Sequence, residues 1–296
     1  MMKRWMLWVA CFALIGCGQA TPSRAERPSD ASLDGAIQIK GSDTMVNLCQ
    51  AWAEAFMAKY PKVNVAITGG GSGTGIAALI SGTCDLTAAS RTIKPKETEQ
   101  AQSHGITPKE WTTALDGLVV VVHPANPIKR LTIEQLADLF TGKITNWREL
   151  GGADAAVVLL SREVNSGTHV YFKEHVLGST DGQQREFASE ALLLPSSQAI
   201  ADEVAANPGA IGYYGMGYLN PKNTAVAITK TSAGPYITPT EDAVKSGAYP
   251  ISRPLLLYSR GQPDGAVKAF LEFVLSPEGQ TIVRKTDFVP IAATGQ

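Results

Sequence analysis

Ala155-Ala156-Val157-Val158-Leu159-Leu160-Ser161-Arg162-Glu163-Val164-Asn165-Ser166-Gly167-Thr168 is the stretch from which the fold is read. The apolar run 155–160 reads as a buried strand, and His169 to Leu177 reads as a helix. Between them lies a turn of small hydroxyl residues and glycine. A helix start of this kind directs backbone N–H groups outward at the positive end of the macrodipole, where anions bind. Arg162 is close enough in sequence to reach the same point as a two-toothed donor.

The pattern occurs twice more upstream. Val63-Asn64-Val65-Ala66-Ile67 runs into Gly69-Gly70-Gly71-Ser72-Gly73-Thr74-Gly75 and a helix from Ile76 to Ile80. Ile37-Gln38-Ile39-Lys40 runs into Gly41-Ser42-Asp43-Thr44 and a helix from Met45 to Tyr60. A further strand, Cys84 to Ala89, ends in Ser90-Arg91. Alternating strands and helices predict an α/β fold with a parallel sheet, whose ligands bind beyond the carboxyl ends of the strands. Ser42, Ser72 and Ser90 all fall at such ends. One Ser or Thr at a helix start is an ordinary cap; three such turns beside an arginine point to an oxyanion receptor. Arg91 has two readings, a second inward cation or an outward, solvated side chain.

Residues 1–16 read as a signal peptide, with Lys3 and Arg4 ahead of a short apolar core from Trp5 to Ile15. That core is short for a membrane span. Leu14-Ile15-Gly16-Cys17 fits the bacterial lipoprotein pattern, in which Cys17 carries acyl chains that anchor the exported chain. Residues 17–36 are rich in Ser, Pro, Ala and Gln without an apolar period, the composition of a flexible tether.

The chain is formally −1, and −3 once Lys3 and Arg4 leave with the signal. No basic surface for nucleic acid is indicated, so an anion has to be selected by local geometry. Cys49 and Cys84 remain after processing, as a disulfide or, the preferred reading, as two buried thiols. Cysteine and histidine spacing supports no metal site. No nucleophile elbow or paired base is present, so no enzyme is expected, and GGGSGTG lacks the lysine of a nucleotide-binding P-loop. Leu48, Trp52, Phe56 and Tyr60 recur at helical spacing and read as core.

Downstream, Leu118 to Val122, Ala210 to Gly215 and Pro254 to Tyr258 read as strands. Ile133 to Phe140, Ser197 to Ala206 and Ala266 to Leu275 read as helices.

In order along the chain, KGSDTM, GGGSGTGI, AASR, DGLVVVVHPANPI, FTGKITNW, SREVNSGTHVYF, AIGYYGMGYL and YPISRPLLLY resemble the periplasmic phosphate-binding proteins of Pst-type ABC transporters. The likeness runs from about Gln38 to Ile291. It implies a two-lobe periplasmic-binding-protein fold of type II, with two crossing hinge strands near Asp116 and Ser252. Lobe 1 would be residues 37–115 and 252–296, and lobe 2 residues 116–251. The resemblance further implies a monomer, without cofactor, that delivers inorganic phosphate to permease subunits from the periplasm or cell surface.

By position, the resemblance assigns Thr44 and Ser72 to the site from the first lobe, and Arg162, Ser166, Gly167 and Thr168 from the second. Better-known members end the strand before residue 91 with an aspartate that accepts the proton of monohydrogen phosphate. Ser90, followed by Arg91, stands there in this chain. Asp43 is taken as the substitute acceptor, against the reading of a helix N-cap. Such an acceptor favours phosphate over tungstate or molybdate, which carry no proton; arsenate stays open, as does a phosphate-sensing signalling lipoprotein.

Overall fold

The computed structural model describes residues 33–180 and 183–291. The signal peptide, Cys17 and nearly all of the tether lie outside the described residues.

The strands, in chain order, are β1 (Gly35–Gly41), β2 (Val63–Thr68), β3 (Leu86–Ala89), β4 (Lys109–Val122), β5 (Arg130–Thr132), β6 (Val158–Arg162), β7 (Ser179–Thr180), β8 (Gln183–Gln184), β9 (Leu192–Leu194), β10 (Ala210–Gly215), β11 (Thr224–Ala225), β12 (Ala227–Thr229) and β13 (Ser252–Ser259). The helices are α1 (Val46–Lys59), α2 (Ser72–Ile80), α3 (Pro95–Ser103), α4 (Ile133–Phe140), α5 (Gly167–Phe172), α6 (Ser197–Ala206), α7 (Glu241–Lys245), α8 (Gly265–Leu275) and α9 (Pro277–Lys285). The fold is α/β. Its main sheet runs β2-β1-β3-β13-β4-β10-β6-β9, with β11 paired antiparallel to the end of β4 off this path.

β1, β2 and β3 are mutually parallel, as are β10, β6 and β9. The long strand β4 joins these two parallel sets. Its first part, Lys109 to Gly117, pairs antiparallel with β13, and its last part, Leu118 to Val122, pairs antiparallel with β10. Gly117 faces Ser252 across the β4–β13 pair. The carboxyl ends of β1 and β3 and that of β6 therefore open towards the middle of the molecule, next to this crossing.

Two hydrophobic clusters hold the sheet. In one, Trp52 and Phe56 of α1 are wholly buried, and Phe56 meets the edge of Phe270 at 5.2 Å between ring centroids. The helical aromatic series read from the sequence is thus core, each fully buried ring being worth about 1.5–3 kcal/mol. The Trp52 indole N–H donates to Gly279 O at 2.9 Å, which ties α1 to α9. In the other cluster Phe172 of α5 stacks flat on Tyr213 of β10 at 3.8 Å, and Phe140 of α4 closes on both edgewise. Cys49 and Cys84 are both free thiols and buried, and burial pushes Cys49 up to about 12.

Three boundaries differ from the sequence expectation. The strand expected from Ala155 begins at Val158, because Trp147 N–H donates to Ala155 O and Val157 N–H donates to Thr145 O. The strand expected from Cys84 begins at Leu86. The helix after Thr168 changes at Lys173 to a wider π-turn that ends at Gly178.

Candidate functional site

Four chain segments bring hydroxyls to one buried point. Ser42 and Thr44 follow β1, Ser72 opens α2, Ser90 follows β3, and Ser166 and Thr168 open α5. All six residues are buried. Ser42 Oγ donates to Ser90 Oγ at 3.0 Å, and Ser72 Oγ lies 3.3 Å from Ser90 Oγ. Thr44 Oγ1 and Thr168 Oγ1 are 2.8 Å apart, although 124 residues separate them.

Glycine makes this approach possible at two positions. Gly71 has φ +94°, and a Cβ there would stand 2.8 Å from Asn165 O. A Cβ on Gly167 would stand 2.2 Å from Ser72 Oγ and 2.7 Å from Ser90 Oγ. The loop 70–74 is also latched to the β6–α5 turn. Gly73 N–H donates to Asn165 O at 2.9 Å, and Asn165 Nδ2 donates to Gly70 O at 2.8 Å.

The hydrogen-bond polarity of these hydroxyls suits an acceptor-rich ligand. A hydroxyl has one proton to give and two lone pairs. Ser72 Oγ accepts from Ser90 N–H at 3.0 Å, Ser166 Oγ accepts from Thr168 N–H at 3.2 Å, and Thr168 Oγ1 accepts from Arg253 Nη2 at 3.0 Å. With an acceptor side filled by N–H, each is left with its proton to direct elsewhere. An oxyanion, which only accepts when unprotonated, is the chemical complement.

The expected charged residues stand differently from the expectation. Arg162 is almost fully buried, but its fork is engaged by the protein. Nε donates to Leu194 O, Nη2 to Pro195 O, and Nη1 to Ser197 Oγ while lying 3.1 Å from Asp43 Oδ2. Four of its five donors are thus taken by Asp43 and the β9–α6 loop, and one Nη2 hydrogen is left without an acceptor among the described residues. Its burial lowers the pKa against the pull of Asp43. The same pair revises Asp43, whose Oδ2 also accepts Ser197 N–H at 2.8 Å. Oδ2 is thus taken up by the protein, while Oδ1 makes no hydrogen bond among the described residues. Asp43 does not cap its own helix either; it reaches across to the start of α6.

Arg91 follows neither of its two readings. It is buried and forms a two-toothed pair with Glu97 of α3, at 2.8 and 2.7 Å. Burial raises Glu97, but the Arg91 and Lys94 hydrogen bonds outweigh it and hold the carboxyl below its ordinary value.

Two residues of the site were given no part in it by the sequence. Arg253 of β13 donates from Nε and Nη2 to Asp116 Oδ2 of β4, at 3.0 and 2.8 Å, and neither side chain is more than 1% exposed. Arg253 Nη1 donates to Ser90 O at 3.1 Å. Asp116 Oδ1 accepts Met216 N–H at 3.0 Å. Burial pushes the Asp116 carboxyl up, and Arg253 pulls it down. The signal was a charge inside an otherwise apolar strand, Arg253 before Pro254-Leu255-Leu256-Leu257 and Asp116 before Gly117-Leu118-Val119-Val120. Buried charges of this kind need partners. Among the described residues no group of three or more His, Cys, Asp or Glu side chains is placed to hold a metal ion.

A family model described as a PBP superfamily domain matches residues 24–278. The phosphate-binding protein PstS of Pseudomonas aeruginosa is 32% identical, over 95% of this chain and 93% of its own length. The phosphate-binding protein PstS of Bacillus subtilis is 31% identical, over 97% of this chain and 93% of its own length. Among solved structures, a putative phosphate ABC transporter substrate-binding protein with bound phosphate from Clostridium perfringens is 35% identical. It superposes with a TM-score of 0.78 over 87% of this chain and 100% of that one. An ABC-type phosphate transport receptor from Vibrio cholerae is 30% identical, with a TM-score of 0.69 over 86% and 100%. These relatives are binding proteins rather than enzymes. With a buried, donor-rich cluster at the strand ends and this degree of likeness along nearly its whole length, the chain belongs to the PBP superfamily and, within it, to the PstS phosphate-binding proteins.

Proposed function

We propose that this protein is an extracytoplasmic receptor that holds inorganic phosphate and delivers it to the permease subunits of an ABC transporter. The ligand is held by Ser42, Thr44, Ser72, Ser90, Ser166, Gly167 and Thr168. The observation that carries this reading is the polarity of the cluster, in which Ser72, Ser166 and Thr168 each have an acceptor side filled by a protein N–H. Residues 37–115 with 252–296 act as one lobe and 116–251 as the other, with β4 and β13 as the crossing between them. The chain works as a monomer, exported by its signal peptide and tethered through acylated Cys17 to the membrane. Among the described residues no helix is long and apolar enough to cross a membrane, which fits attachment by lipid.

Calorimetric titration of the purified protein with phosphate, sulfate, molybdate and tungstate tests the ligand. One phosphate site is expected, with the tetrahedral metal oxyanions at least about tenfold weaker, or 1.4 kcal/mol. Tungstate or molybdate binding more tightly than phosphate overturns the assignment.

A further inference from the structure

We propose that Asn165 is the gate of the phosphate site: its bonds to the loop 70–74 clasp the two lobes together at the mouth of the cleft, and breaking them sets how fast phosphate is released. The inference rests on the two-lobe phosphate reading above.

The position follows from burial along two short segments. In the loop before α2, Gly70 is exposed and Ser72 is wholly buried. In the turn before α5, Asn165 is exposed and Ser166 is buried. Both segments pass from solvent to the hydroxyl cluster within one or two residues, and they touch where they do so. A phosphate leaving between Ser72 and Ser166 has to part them.

The contact uses both backbone and side chain. Gly73 N–H donates to Asn165 O at 2.9 Å, and Asn165 Nδ2 donates to Gly70 O at 2.8 Å and to Thr74 Oγ1 at 3.3 Å. Thr74 Oγ1 itself donates to Gly70 O at 2.7 Å, so it meets the Asn165 amide with a lone pair. The approach is close: a Cβ on Gly71 would stand 2.8 Å from Asn165 O, and one on Gly73 3.1 Å. Gly70 O and Thr74 Oγ1 both need a donor here. A carboxylate of the same shape would set oxygen against oxygen.

Magnitude separates this contact from the other exposed link between the lobes. Lys94, just before α3, and Glu174 of the π-turn lie 3.9 Å apart, with 49% and 50% of their side chains exposed. A half-solvated pair at that distance contributes little. A hydrogen bond such as that to Gly70 O shifts an equilibrium roughly twofold to tenfold. Asn165 is not among the residues proposed to hold the anion, so it acts on the parting of the lobes and leaves the contacts to phosphate as they are. Its signature is therefore kinetic: release changes while association is not slowed.

The test loads the full mature chain with radiolabelled inorganic phosphate and chases it with excess unlabelled phosphate, with association and melting measured on the same variants. Asn165→Ala is expected to release phosphate about threefold to tenfold faster, and Asn165→Asp faster still, with association no slower in either. Alanine adds no backbone strain at this position, because Asp287 is the one non-glycine residue with positive φ among the described residues. Lys94→Ala is expected to release within about twofold of the unaltered protein. Less than about threefold acceleration in Asn165→Ala overturns the gate, as does an affinity lost through slower association or a Lys94→Ala protein that releases as fast as Asn165→Ala. A merely structural asparagine would lower the melting temperature and leave release unmoved. An unaltered protein that takes up no phosphate overturns the receptor reading, and the gate with it.

Discussion

At the scale of single residues, the site depends on atoms that are missing as much as on those present. Gly167 lets the first turn of α5 approach Ser72 and Ser90, and a methyl group there would overlap Ser72 Oγ at 2.2 Å. Gly167→Ala is therefore expected to cost about 1–3 kcal/mol of stability by overpacking. It should also weaken phosphate binding, both read from melting and titration of the same sample. Unchanged melting and affinity would show that the approach is not needed. Arg162 leads to a second expectation. The sequence alone offered it only as a two-toothed donor to the ligand. Its bonds to Asp43, Leu194 O, Pro195 O and Ser197 Oγ give it a structural part as well. Arg162→Ala should lower ligand-free stability by about 2 kcal/mol or more, since it strands a carboxylate, the buried Ser197 hydroxyl and two partly buried carbonyls. A melting temperature equal to that of the unaltered protein would contradict this.

At the scale of elements, α5 couples the site to its surroundings through the residue after Thr168. His169 stacks on Phe187 at 4.5 Å, its Nδ1 lies 3.3 Å from Ser161 Oγ, and burial lowers its pKa. The folded state thus resists a proton that the unfolded chain accepts near pH 6.5, so stability falls as pH drops below about 6.5. In His169→Asn the fall in melting temperature between pH 7 and pH 5 is expected to be shallower. An identical slope would assign it to other groups. The same scale shows what was legible beforehand. Helices α4 and α6 and strand β10 coincide with the expected spans, since their apolar spacing and end residues carry the information locally. Helix α3 was missed because Ala101 is its one buried residue, so Pro95 to Ser103 shows no apolar stripe. The first half of β4 was missed because its pairing partner, β13, lies 142 residues away at Thr113–Leu255. The hydroxyl clusters were readable since each sits in its own strand-to-helix turn. The Arg253–Asp116 pair was not, because 137 residues separate its members.

At the scale of the whole molecule, the proposed lipid-tethered leader and the ligand-binding body are expected to be independent. Cys17→Ser should release the protein from the membrane fraction while leaving phosphate affinity within about twofold, because none of the residues proposed to hold phosphate belongs to the tether. A Cys17→Ser protein that still partitions into detergent would contradict the lipid anchor. Closing of the two proposed lobes across β4 and β13 would bring Ser72 and Thr168 onto opposite faces of one anion. The most direct measurement of that claim is a crystal structure of the protein grown with phosphate. The account predicts one tetrahedral anion whose oxygens accept hydrogen bonds from Thr44, Ser72, Ser166 and Thr168. Phosphate bound elsewhere, with Thr44 Oγ1 and Thr168 Oγ1 still bonded only to each other and to Arg253, would contradict it.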